Sequence, residues 1–117
     1  MCSISQLSIF LLSGIYAIGG YGAGNAEREI AHLIKFVENT PCYYERNGEL
    51  HSGREAAEHI RKKYDHFKDE ISTAEDFIAL SATKSELTGK KYRVLCEGEN
   101  PLDSNQWLLG ELKTYRQ

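Results

Sequence analysis

Apolar positions recur along this chain with two periods, and the changes from one to the other mark its elements. Ile30, Leu33, Ile34 and Val37 fall at i, i+3, i+4 and i+7, one apolar stripe of an amphipathic helix. Glu27, Arg28, Glu29, His32, Lys35 and Glu38 form its polar flank, with Glu27 and Glu29 at the end where the helix dipole favours negative charge. Pro41 biases Thr40 to an extended geometry, so this helix ends by Asn39. Residues 42–53 read CYYERNGELHSG, and Asn47-Gly48 within them predicts a hairpin closed by a type I′ turn. A two-residue loop sets Arg46 opposite Glu49, Glu45 opposite Leu50 and Tyr44 opposite His51. Cross-strand partners share a face. Cys42, Tyr44, Arg46, Glu49 and His51 therefore line one side, and Tyr43, Glu45 and Leu50 the other.

Ser52-Gly53-Arg54-Glu55 fits a capping box, in which Ser52 caps a helix and Glu55 reaches back to its amide. Ala56, Ile60, Tyr64, Phe67 and Ile71 continue as a helical stripe, leaving Lys62, Lys63, Asp65, Lys68, Asp69 and Glu70 to solvent. A second box, Ser72 with Glu75, opens a third helix through Asp76, Phe77, Ile78, Leu80 and Ala82, and Gly89 stops it or the turn after it. Lys91 to Glu97 alternates as a strand, with Tyr92, Val94 and Cys96 on one face and Arg93 and Leu95 on the other. After a loop, Asp103 with Gln106 caps a last helix that buries Trp107, Leu108, Leu112 and Tyr115. An interior Trp107 truncated to Ala would cost about 3–5 kcal/mol. The order predicts an α+β fold, about four helices packed on a small three-stranded antiparallel sheet made of the hairpin and one later strand.

The charge distribution changes the picture at the N-terminus. Met1 to Ala26 contains no Lys, Arg, Asp or Glu, and all 14 basic and 17 acidic residues follow it. Leu7 to Ile18 is apolar but too short for the roughly 20 residues of a membrane span, and it suits the core of a signal peptide. Gly24-Asn25-Ala26 offers small residues around a cleavage site. The expectation is a signal peptide over 1–26, a single exported domain over 27–117 and no membrane span after cleavage. No basic residue precedes the apolar run, so an uncleaved anchor is the competing reading. A domain of this size buries only about 60–65% of the surface its unfolded chain exposes, so a covalent staple would help. Cys42 and Cys96 supply an even pair for one disulfide; a metal pair and a redox site are the alternatives, though no Cys-x-x-Cys is present. The net charge of −3, with no clustered basic face, argues against a nucleic-acid partner.

Candidate chemistry is sparse. No phosphate-binding glycine loop or cofactor motif occurs, and His59 and His66, two helical turns apart, make a poor metal pair. Ser52 beside His51 is no nucleophile pair, because adjacent residues of a strand face opposite ways. What remains is a polar group of Arg46, Glu49 and His51 with His59, plus the cationic run Arg61-Lys62-Lys63, whose default reading is a solvated helix edge.

Four pieces of the chain resemble the family of small exported bacterial proteins typified by YfeK, a domain of unknown function. They are Arg46-Asn47-Gly48, His59-Ile60-Arg61-x-Lys63, Ser72-x-Ala74-Glu75-x-Phe77-Ile78 and Thr88-Gly89-Lys90-x-Tyr92-x-Val94. The resemblance spans nearly all of Glu27 to Tyr115 and implies a periplasmic α+β domain of a Gram-negative bacterium. It carries no activity, substrate or catalytic residue to transfer. It departs at Lys91, where relatives often have proline, and in the signal, which lacks the usual basic start. The cysteine pair is not universal in the family, which favours a staple. The recurring motif draws attention to Arg46, His59, Arg61 and Lys63, which, with His51, are the candidate binding residues. The leading expectation is a non-enzymatic module of inhibitor, immunity or envelope-accessory type, with no cofactor or metal, binding another envelope protein or a small ligand. The alternative is a small hydrolase using His51 or His59 with a carboxylate such as Glu49.

Overall fold

The first helix, α1 (24–39), buries Ile30, Leu33, Ile34 and Val37, the stripe expected of it, and stops before Pro41. The structure is a computed structural model, and it describes residues 24–117. The apolar run Leu7 to Ile18 lies outside the described residues.

The hairpin follows as β1 (Tyr43–Arg46) and β2 (Glu49–His51), in the expected register of Arg46 with Glu49, Glu45 with Leu50 and Tyr44 with His51. Asn47 and Gly48 both adopt positive φ, 51° and 84°, as a type I′ turn requires. β3 (Arg93–Leu95) pairs antiparallel with β1, setting Val94 against Tyr44. The Cys42–Cys96 disulfide joins the entry of β1 to the exit of β3 across 54 residues, so neither a metal pair nor a free thiol pair describes these sulfurs.

The expected three strands are four. β4 (Leu102–Asp103) pairs with β3, and the sheet order is β2-β1-β3-β4. Two residues are too few to show a period, and Asp103 has the look of a helix cap. Its side chain makes no capping bond; its carboxylate instead lies 3.5 Å from Lys91 Nζ.

The helices cover the sheet face that carries Tyr44 and Val94, while Tyr43 and Leu50 on the other face stay in water. α2 (Gly53–Phe67) opens with the reciprocal Ser52–Glu55 capping box. Its first residue is pressed against α1: a Cβ added to Gly53 would lie 2.4 Å from the Val37 carbonyl oxygen. A short 3-10 turn, Lys68–Glu70, ends the run, so Ile71 falls outside the helix. Lys63, expected in solvent, is buried at 9% exposure.

α3 (Ala74–Ser81) is capped one residue later than expected, by Thr73 with Asp76. Ser72-x-x-Glu75 and Thr73-x-x-Asp76 both spell the motif. The second start buries Ala74, Phe77, Ile78 and Ser81 along one stripe, and packing decides between them. α4 (Ser104–Tyr115) buries Ser104, Leu108 and Leu112. Trp107 is only partly buried, against Phe36 and Tyr44, with ring centroids 4.6 and 5.8 Å away. Tyr115, expected in the core, is 42% exposed and stacks on His32 one helical turn past the last core leucine. Inside, Tyr44 Oη and Ser104 Oγ share a 2.8 Å hydrogen bond that satisfies both hydroxyls, and burial pushes the phenol pKa upward. Among the described residues no helix is long and apolar enough to cross a membrane.

Candidate functional site

Three pieces of chain meet to form a cleft of about 610 Å³: the hairpin tip, the second half of α2, and the segment 85–92. The hairpin tip is fastened to that segment through Asn47. Its amide donates to Ser85 Oγ at 3.3 Å and its carbonyl accepts from Thr88 Oγ1 at 2.7 Å. The segment itself is a tight turn, in which the Gly89 amide donates to the Ser85 carbonyl and Gly89 takes φ 74°. Asn47 thus shapes the hairpin and anchors the opposite wall.

The floor is a polar network under an apolar rim. Lys63 Nζ donates to the Lys84 carbonyl at 2.7 Å and to Tyr92 Oη at 3.2 Å, and it approaches Glu86 Oε2 at 3.4 Å. Tyr92 Oη is also 3.2 Å from His59 Nε2. An ammonium only donates, so the phenol oxygen accepts from Lys63 and turns its own proton toward His59. The imidazole proton then belongs on Nδ1. Burial, reinforced by the nearby charges of Arg46, Lys63, His51 and Lys62, pushes the His59 pKa down to about 4. His59 is therefore neutral at pH 7. Phe67 and Leu87 supply the apolar rim, and Leu87 is 95% exposed.

The five candidate residues divide. Arg46, His59 and Lys63 come together in this cleft. His51 lies beside it, in a tight hollow shared with Arg46 and His59. The nearest carboxylates to His51, Glu49 and Glu55, are each 3.9 Å away, and its buried Nε2 has no hydrogen-bond partner among the described residues. Arg61 is not part of the group: it reaches back to Glu38 of α1 at 3.5 Å. Helix geometry explains the split, since residues 59 and 63 are one turn apart on the same face and residue 61 is not. Glu86 and Leu87 carry no signal of their own in the sequence. Tyr92 reads as a core strand residue, and nothing local places the 85–88 turn against α2.

No carboxylate reaches His59 within hydrogen-bonding distance among the described residues, and its hydrogen bond goes to a phenol. His66 also lines the cleft, yet no group of three or more His, Cys, Asp or Glu among the described residues is placed to hold a metal ion.

A second hollow, lined by Glu29, Glu75 and Arg116, is closed on itself. Arg116 donates to Glu29 at 2.7 and 2.9 Å and to Glu75 at 2.8 and 3.1 Å, fastening α4 to the starts of α1 and α3.

Residues 24–116 match the family of unknown function DUF5329. The chain belongs to that family. It is 33% identical over 84 residues to the uncharacterized protein YfeK of Salmonella typhimurium (strain LT2), an alignment covering 72% of this chain and 70% of that protein. No solved structure matches it significantly. Arg46, Asn47, His59, Lys63, Thr88 and Tyr92, from three of the pieces that carry the family resemblance, all take part in building the cleft.

Proposed function

We propose that this protein is an exported, disulfide-stapled binding module, trimmed near Ala26, whose recognition surface is the cleft between the hairpin tip, α2 and the 85–92 turn. The observation that carries the reading is the charge of the lining. Arg46, Lys62 and Lys63 face a single carboxylate, Glu86, in a chain whose net charge is −3. A local surplus of cations beside exposed apolar surface is a receiving surface for an anionic partner. A hydrolase reading finds less support, because among the described residues His59 is turned to a phenol with no carboxylate in hydrogen-bonding reach, and Glu49 lies 3.9 Å from His51 Nε2. Export is supported by the uncharged N-terminal segment and by the disulfide, which persists in oxidising compartments.

The test is a photocrosslinking amino acid placed at Leu87 or, as a distant control, at Lys113, in cells producing the full chain. A saturable adduct at position 87, weakened by Arg46→Gln with Lys62→Gln and missing at position 113, is the expected result. Equal adducts at both positions, or an adduct indifferent to the charge changes, would remove the reading. Intact mass of the native protein is expected to show a chain starting at Glu27 with its two thiols oxidised.

A further inference from the structure

We propose that the cleft takes an amphipathic carboxylate, an organic anion carrying an apolar chain, and that the Glu86 side chain holds the carboxylate's place on Lys63 until it arrives. The inference rests on the cleft being the recognition surface and names the chemistry of what it receives.

The geometry at Lys63 sets the head group. A buried ammonium has three donors, and two are spent on neutral oxygens, the Lys84 carbonyl and Tyr92 Oη. The third reaches Glu86 at 3.4 Å, well beyond the 2.7–2.9 Å of a strong ammonium–carboxylate bond. The Glu86 side chain is 56% exposed, so its departure into water is cheap, whereas Lys63 cannot leave its buried position. The site thus already receives a carboxylate, loosely and from its own chain. Arg46 and Lys62 face the same space and have no ion-pair partner among the described residues. An incoming carboxylate gains their attraction as well as that of Lys63.

The rim sets the rest of the ligand. Leu87 stands almost wholly in water and shares the lining with the half-buried Phe67, and a bare inorganic anion would leave that apolar surface uncovered. An alkyl or aryl chain laid across it removes apolar area from water at roughly 25 cal/mol per Å². Charge on the floor and apolar surface at the rim belong to one molecule.

The experiment is a titration of the ¹⁵N-labelled full chain with octanoate, with acetate and octanol as controls for charge without chain and chain without charge. Octanoate is expected to shift the amides of Lys63, Leu87 and Tyr92 saturably, with both controls at least about tenfold weaker. Glu86→Gln, which removes the resident competitor, is expected to tighten octanoate at least about threefold. Arg46→Gln is expected to weaken it about fivefold. Octanol binding as well as octanoate, or no saturation in either the wild type or Glu86→Gln, would overturn the ligand class; a weaker Glu86→Gln variant would overturn the placeholder. If octanoate fails while the Leu87 crosslink persists, this inference falls and the cleft remains the recognition surface. If both fail, the cleft reading falls with it.

Discussion

Two charged clusters on this fold are built in opposite ways. At the clasp, the Arg116 guanidinium lies between the Glu29 and Glu75 carboxylates, with every contact between 2.7 and 3.1 Å. Hydrogen bonds from Arg116 hold both carboxyl groups below their usual range, and the two carboxylates push the guanidinium pKa up. At the cleft, three cations face one loosely held carboxylate, and the buried ammonium leans on neutral oxygens. A cluster in which every charged group is bonded to one of opposite sign fastens three helices and has nothing left to offer. A cluster with surplus charge is repulsive while empty, and a ligand of opposite sign relieves it. The same residue types thus serve closure in one place and reception in the other.

The largest expected effect separates global stability from the state of the cleft. Replacing Cys42 and Cys96 together by Ser removes a link closing 54 residues, a loss of about 4 kcal/mol on the chain-entropy account, read from the urea midpoint. The bridge is at the entry of β1 and Arg46 at its other end, where Asn47 has its own ties to Ser85 and Thr88. The amide shifts of Lys63 and Tyr92 should therefore stay in place in the folded variant. Displaced shifts would show that the cleft depends on the staple.

Gly53→Ala comes next. Its new methyl would meet the Val37 carbonyl at 2.4 Å, so α1 and α2 must move apart at a cost of about 1–3 kcal/mol. An unchanged urea midpoint would show that the contact relaxes freely.

Charge reversal sharpens the comparison itself, because the two clusters should answer with opposite signs. Arg116→Glu sets a third carboxylate against two and should destabilise by about 1 kcal/mol, less at high salt. Arg46→Glu relieves repulsion among Lys62, Lys63 and Arg46, and should leave stability unchanged or raise it by up to about 0.5 kcal/mol. Equal losses from both would erase the distinction.

Much of this frame was legible along the chain. The α1 stripe, the hairpin with its register, the Ser52–Glu55 box and a later strand joining the hairpin's sheet all follow from period and turn chemistry. What escaped has physical causes. β4 is too short to show alternation, and two overlapping capping boxes can be chosen between only by the packing of Phe77 and Ile78. Lys63 reads as solvent because its burial depends on a carbonyl 21 residues away, supplied by Lys84. Arg46, His59 and Lys63 were visible as candidates and Tyr92 as a strand residue; Glu86 and Leu87, which complete the cleft, became visible only through tertiary contact.

The most direct test of the cation surplus is an NMR titration of the His59 ring. Arg46 and His51 from the hairpin, Lys62 and Lys63 from α2, and the Tyr92 hydroxyl all face it. Burial first, and then the charges of Arg46, Lys63, His51 and Lys62, lower its pKa to about 4, against 6.5 for an ordinary histidine, so the unfolded chain takes up this proton first as the pH falls. The stability it contributes is complete above pH 6.5 and declines toward pH 4, ahead of the losses from Glu29, Glu55 and Glu75, whose lowered values place them below the ordinary carboxylate range. Arg46→Gln should move the titration upward. A His59 that titrates near 6.5 in the wild type and is unmoved by Arg46→Gln would contradict the account.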